Sequence, residues 1–284
     1  MATASSKESG RPRPDQKTEP SGRGRPLSFG LIASITLLLL SSSLQYAAEP
    51  NAAKSNRDGA SAMVAVEGGT LPGKPGPVAA FSISKNEVTW GEWKAVAAWA
   101  SMKGYDIGRA GAGRADDQPV FSITWHDAVK WCNAKSEKDG RAPVYTVNGA
   151  TYKSGEAVPE ANKGANGYRL PSEAEWEWAA RGAKSGKNEA YSGSNTIGDV
   201  AWYDDNSSGE VKAVGTKAAN AIGLYDMSGN VWEWCWDSAG TGRSVRGGSC
   251  ASSAESCMVS ARLAVSPDER LNVIGFRIVS SPGK

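Results

Sequence analysis

The residues best suited to chemistry in this chain are four cysteines, one histidine and a glycine turn bracketed by acids. In Asp226-Met227-Ser228-Gly229-Asn230-Val231-Trp232-Glu233, two carboxylates flank a turn that can aim backbone carbonyls inward, an oxygen set that suits calcium. The competing reading is that Asp226 and Glu233 cap turns by accepting from backbone amides. Cys132, Cys235, Cys250 and Cys257 can close two disulfides in three connectivities, or pack as small apolar side chains. Cys132 and Cys235 each adjoin tryptophan, which favours packing as much as bonding. His126 has no second histidine with which to ligate a metal, and reads as a histidine at the surface or at a helix start. No Gly-x-Ser-x-Gly elbow accompanies it, so a serine-histidine-acid hydrolase has little support.

The elements that position these residues follow from composition and pattern. A net charge of +2 provides no field to recruit nucleic acid, and no such partner is expected. Eleven tryptophans and 33 glycines beside four phenylalanines point to many turns, with flat side chains wedged between irregular segments and few long amphipathic helices. Residues 1–26 have the basic, polar composition of a disordered tail. Leu27 to Ala48 carries no charge, has an apolar core from Leu31 to Leu40 and ends in small residues. That pattern exports the chain, as a cleaved signal peptide or as one retained membrane helix, and membrane contact is expected through this segment alone. Residues 49–62 read as a linker, and 63–281 as one globular domain.

Within the domain, Met63 to Val66 reads as a strand ending at the Gly68-Gly69 turn, and Ala80 to Ser84 as a second. Thr89 caps a helix whose inner face is Trp93, Val96, Ala97 and Ala100. A second helix follows Thr124 and runs to about Lys135, and Val144 to Tyr152 forms a hairpin turning at Asn148-Gly149. Ser172 with Glu175 makes a capping box that opens a third helix ending near Arg181-Gly182. Turns and short strands follow, with Gly275 to Val279 as the last strand.

Five segments, in order, resemble the sulfatase-modifying factor (formylglycine-generating enzyme) family: ISKNEVTWGEW at 83–93, QPVFSITWHDAVKWC at 118–132, YRLPSEAEWEWAAR at 168–181, GLYDMSGNVWEW at 223–234 with VRGGS at 245–249, and GFRIV at 275–279. The resemblance implies an α+β, C-type-lectin-like fold with few short helices, short strands and much irregular structure. It also implies bound calcium, with ligands falling on Asp226, the carbonyls of Gly229 and Val231, and Glu233. A second calcium site common in the family has no residue-level match near Asp204-Asp205-Asn206.

Oxidases of the family hold Cu(I) between two thiolates just after a Gly-Gly-Ser turn, soft donors for a soft metal. Counting forward from Gly247-Gly248-Ser249, the first ligand position falls on Ser252 and the second on Cys257. Counting back from Arg262, Cys257 instead matches a cysteine of members that lack the pair. Cys250 and Cys257 are the remaining candidates for catalytic ligands, with a disulfide between them as the alternative. Arg246, Gly247, Gly248 and Ser249 match a turn that borders the family's substrate groove, where paired glycines let a peptide approach, or else serve the fold alone. The function expected is that of an extracytoplasmic domain, periplasmic, secreted or anchored by one N-terminal helix. It would be stabilised by calcium and bind a peptide, protein or glycan. The alternative is a copper-dependent oxidase that converts a cysteine of exported sulfatases to formylglycine.

Overall fold

The computed structural model describes residues 62–282, apart from 109 and 163. The basic tail, the export segment and all but the last residue of the 49–62 linker lie outside the described residues. Among the described residues, no helix is long and apolar enough to cross a membrane.

The strands are short: β1 (Met63–Val66), β2 (Gly69–Thr70), β3 (Pro77–Val78), β4 (Phe81–Ser84), β5 (Tyr145–Val147), β6 (Ala150–Thr151), β7 (Glu160–Ala161), β8 (Tyr168–Arg169), β9 (Trp232–Ala239), β10 (Gly242–Arg246), β11 (Arg262–Val265), β12 (Ile274–Gly275) and β13 (Val279–Ser280). One sheet runs β1-β4-β13-β8 and a second β11-β10-β9-β12, with two smaller sheets, β2-β3 and β6-β5-β7, beside them. β1 pairs antiparallel with β4 from Met63↔Ser84 to Val66↔Phe81, and β13 pairs with both β4 and β8. Residues from opposite ends of the domain therefore share one sheet.

Helices α1 (Trp90–Ser101), α2 (Trp125–Lys138) and α3 (Glu173–Ala180) each open with a capping box, built by Thr89 with Glu92, Thr124 with Asp127, and Ser172 with Glu175. Each box satisfies backbone N–H groups that a helix start leaves without intrahelical partners. The face expected to be inside on α1, Trp93, Val96, Ala97 and Ala100, is buried. Trp93 stacks on Trp131 of α2 at 6.0 Å between ring centres, and Phe276 meets both rings edge-on. A second apolar cluster gathers Trp176 and Trp178 of α3 with Met227, Cys235 and Val279.

Several boundaries differ from the sequence expectation. Helix α2 runs three residues past Lys135, because burial of every residue from Trp125 to Ser136 leaves no amphipathic rhythm to mark its end. Gly69 begins a short strand instead of completing a turn. The last strand is two strands: β12 lies parallel to β9, while β13 belongs to the other sheet. Between them Phe276 fills the tryptophan cluster and Arg277 turns inward to a buried acid, which a continuous strand would prevent. The hairpin turn is as expected, with Asn148 (φ 50°) and Gly149 (φ 77°) both left-handed.

Candidate functional site

The acid-bracketed turn leads into β9, and its Met227 packs with Trp176 and Trp178 of α3. Its backbone is left-handed at Asp226 (φ 56°), Gly229 (φ 82°) and Asn230 (φ 60°). A Cβ on Gly229 would stand 2.3 Å from the Trp202 carbonyl oxygen, so only glycine fits there. Glu233, on β9, is wholly buried: its Oε2 accepts from Trp176 Nε1 and Arg277 Nε, both at 2.7 Å, and its Oε1 accepts from Arg277 Nη2 at 2.7 Å. Asp226 accepts the Gly215 amide on Oδ2 at 2.7 Å, so the turn-capping reading is realised for this residue.

A third acid, Glu87, completes the group and was not anticipated. Its Oε1 accepts from the Val231 amide at 3.1 Å and its Oε2 from Asn230 Nδ2 at 2.7 Å. It follows β4 within the ISKNEVTWGEW segment, and an acid closing an apolar strand was the available signal. Burial pushes the Glu87 carboxyl well up, and the charges of Asp226 and Glu233 push it further. Burial likewise raises Asp226, to about 6, against the pull of the Gly215 amide and Arg277. Three buried carboxylates thus share one buried guanidinium.

That excess of negative charge, in a turn with left-handed backbone, fits a hard cation. Among the described residues, no three acidic, cysteine or histidine side chains converge as a metal cage. A calcium ion here would therefore need the carbonyls of Gly229 and Val231 as well as Asp226 and Glu233.

At the second predicted site, Arg246 through Cys250 are all buried. Arg246 donates to Glu177 Oε2 at 2.7 Å and to the carbonyls of Val259 and Ser260, and its guanidinium lies over Trp176. Gly247 (φ 96°) and Gly248 (φ 79°) are left-handed, and a Cβ on Gly248 would meet Cys257 Sγ at 2.5 Å. The glycines are therefore needed by the packing of the turn itself. Ser252, which stands at the first copper position, holds this turn closed: its Oγ accepts from the Ser249 amide at 3.0 Å and lies 2.9 Å from Ser249 Oγ.

All four cysteines are free and buried, so neither of the two possible disulfides forms. Cys250 packs with Phe121, Val211 and Val231, whereas Cys257 packs in a different cluster with Tyr191 and Val200. Burial pushes the Cys250 thiol up. Burial, then the Asp204 charge, pushes Cys257 up to about 12, against the pull of the Ser249 and Gly229 amides. Both shifts favour the protonated thiol in the metal-free site.

His126 does sit at a helix start, but it is 3% exposed and not a surface residue. Trp125 and Tyr152 meet its ring edge-on, and the contact with Tyr152 is a long-range one that helix periodicity cannot reveal. A further cavity, of about 330 Å³, is walled by Val144, Leu170 and the stacked Tyr145 and Trp236. The Arg169–Glu175 ion pair lies at its edge, and none of the predicted site residues lines it.

Known proteins share this geometry. A structure titled CarF covers 79% of this chain and 99% of its own, at 30% identity and a TM-score of 0.71. Treponema denticola variable protein 1 covers 78% of this chain and 95% of its own, at 33% identity and a TM-score of 0.63. With these neighbours the α+β arrangement is a C-type-lectin-like fold. Among curated proteins, chaperone protein LppX of Paenibacillus barcinonensis is 38% identical over 55% of this chain and 62% of its own length. The inactive C-alpha-formylglycine-generating enzyme 2 of Mus musculus is 34% identical over 58% of this chain and 50% of its own. The chain thus spans half to three fifths of the length of these curated relatives. The model of the sulfatase-modifying factor enzyme 1-like domain matches residues 48–282, and the chain belongs to that family.

Proposed function

We propose that this protein is a non-oxidising member of its family: an exported, calcium-stabilised domain that binds a peptide, protein or glycan outside the cytoplasm. The observation that carries this reading is the condition of Cys250 and Cys257, which are buried, free of a disulfide and packed into separate apolar clusters. Metal identity follows ligand type and geometry, and two thiols each engaged in its own apolar cluster do not form the convergent two-thiolate donor set that Cu(I) oxidation needs. Ser252, at the other copper position, is engaged with Ser249. Relatives named as a chaperone and as an inactive enzyme lend support to a role in binding. Export rests on the uncharged segment from Leu27 to Ala48.

Calcium would be held by Asp226, Glu233 and the carbonyls of Gly229 and Val231. It would supply charge compensation to the buried acids and no redox chemistry. The rival reading, a copper-dependent formylglycine-generating oxidase with Cys250 and Cys257 as ligands, draws on family membership, and fold alone does not carry activity.

The test is turnover. The purified chain, loaded with Cu(I) and given oxygen and a Cys-x-Pro-x-Arg peptide, is expected to consume no oxygen and leave the peptide thiol intact. Formylglycine appearing in that peptide would overturn the reading.

A further inference from the structure

A polar cavity of about 250 Å³ lies beside the first turn of α2, lined by His126, Asp127, Lys130, Glu156 and Arg270 among others. It shares no residue with the acid turn or the cysteine region. His126, Asp127 and Lys130 are each only 3% exposed, while the other charged lining residues, Asp106, Glu156 and Arg270, are exposed.

Most of its charges are matched. Lys130 pairs with Asp106 and donates to the Gly155 carbonyl, while Arg270 pairs with Asp127 at 2.6 Å. Asp127 also accepts from the Thr124 amide at 3.0 Å, which answers the positive end of α2. Two carboxylates are left. Glu156 lines the cavity with no hydrogen-bond or ion-pair partner among the described residues. Asp268 faces His126 Nε2 at 3.6 Å and has no nearer partner.

The histidine tautomer can be deduced from its neighbour. The Tyr152 hydroxyl has one proton and donates it to the Gly155 carbonyl at 2.5 Å. Toward His126 Nδ1, 3.1 Å away, that oxygen can therefore only accept, so Nδ1 carries the ring proton. Burial keeps the imidazole neutral, helped by Lys130 and Arg243 and opposed by Asp268 and Glu156. Nε2 is then a bare lone pair, without a hydrogen bond, on a buried side chain, and it faces a carboxylate. His126 Nε2 and the exposed carboxylates of Asp268 and Glu156 thus present unpaired acceptors to a positively charged donor entering from solvent.

We propose that this cavity binds an organic cation that carries N–H donors, an ammonium or guanidinium group, held by His126 Nε2, Asp268 and Glu156. The inference does not depend on the reading of the cysteines. Among the described residues no three acidic, cysteine or histidine side chains form a metal-holding group, and the cations Lys130 and Arg270 line this cavity.

His126 is the chain's only histidine, so its imidazole signals in a nuclear magnetic resonance spectrum are unambiguous. The full chain at neutral pH is titrated with butylamine, with agmatine and with tetramethylammonium, a cation without N–H donors. The free protein is expected to show Nε2 as the unprotonated nitrogen. Butylamine or agmatine should move that resonance saturably while tetramethylammonium does not, and the tighter of the two identifies the preferred head group. The exposed-side double variant Glu156→Gln with Asp268→Asn should keep its melting temperature and bind about tenfold more weakly. An unprotonated Nδ1, an absence of saturable shift with either amine, or an equal response to tetramethylammonium would each overturn the proposal.

Discussion

A buried ionisable side chain keeps its charge only where counter-charge and hydrogen bonds replace water. Arg277 meets that condition. Burial opposes its charge, but Glu233 holds it with two parallel bonds and the carbonyls of Ser84, Lys85 and Tyr225 take the remaining donors. His126 takes the other course: burial favours its neutral form, Lys130 and Arg243 add to that, Asp268 and Glu156 oppose it, and Asp127 and Tyr152 also stand near it. Its folded-state pKa is below 6.5, so between the two values the unfolded chain binds the proton more readily. The contribution of His126 is then fully present above pH 6.5 and is lost as pH falls through the folded value. Denaturant midpoints of wild type and His126→Asn, followed from pH 7.5 to 5, should show the wild type losing more stability than the variant as pH falls. Parallel curves would contradict a neutral buried imidazole. At this scale the sequence was a partial guide. Asp226 and Glu233 were legible because eight consecutive residues carry both, whereas Glu87 joins them from 139 residues before Asp226, through folding alone.

Elements were legible where their signals are local. The starts of α1, α2 and α3 were written in a capping residue and an acid three positions later, and the hairpin in an Asn-Gly pair. The ends of α2 and the split of the last strand were not, since both are set by what packs against them, and Arg277 leaves the strand line to reach Glu233. The turn after β10, which matches the border of the family's substrate groove, is also tightly packed. Gly248→Ala would place a methyl group 2.5 Å from Cys257 Sγ in a left-handed backbone, adding about 1–3 kcal/mol of overpacking to about 1–2 kcal/mol of backbone strain. Gly73→Ala, equally left-handed but with nothing within 4 Å, should show the strain alone. Urea unfolding of the two variants checks the difference. Equal losses would mean that the turn has room which the glycines do not need.

Across the molecule, the acid group joins segments far apart in the chain: Glu87 after β4, Asp226 before β9, Glu233 on β9, and Arg277 between the two sheets. A cation there would act on the whole domain at once, because the same residues tie both sheets together. With free calcium at about a hundred times its Kd, the stabilisation is about 2.7 kcal/mol, which corresponds to about 5–10 °C in the melting temperature of a domain this size. Removing calcium with a chelator should lower the melting temperature by that order, and an unchanged curve would exclude the site. The family was legible from long motifs such as YRLPSEAEWEWAAR and GLYDMSGNVWEW. The disposition of the sulfurs was not, because one-dimensional spacing cannot say that Cys250 and Cys257 enter different clusters. Competition for Cu(I) against a colorimetric chelator tests that disposition most directly. The account predicts that the chelator retains the copper in the presence of the full-length chain. Withdrawal of one equivalent by the wild type, abolished in Cys257→Ser, would contradict it.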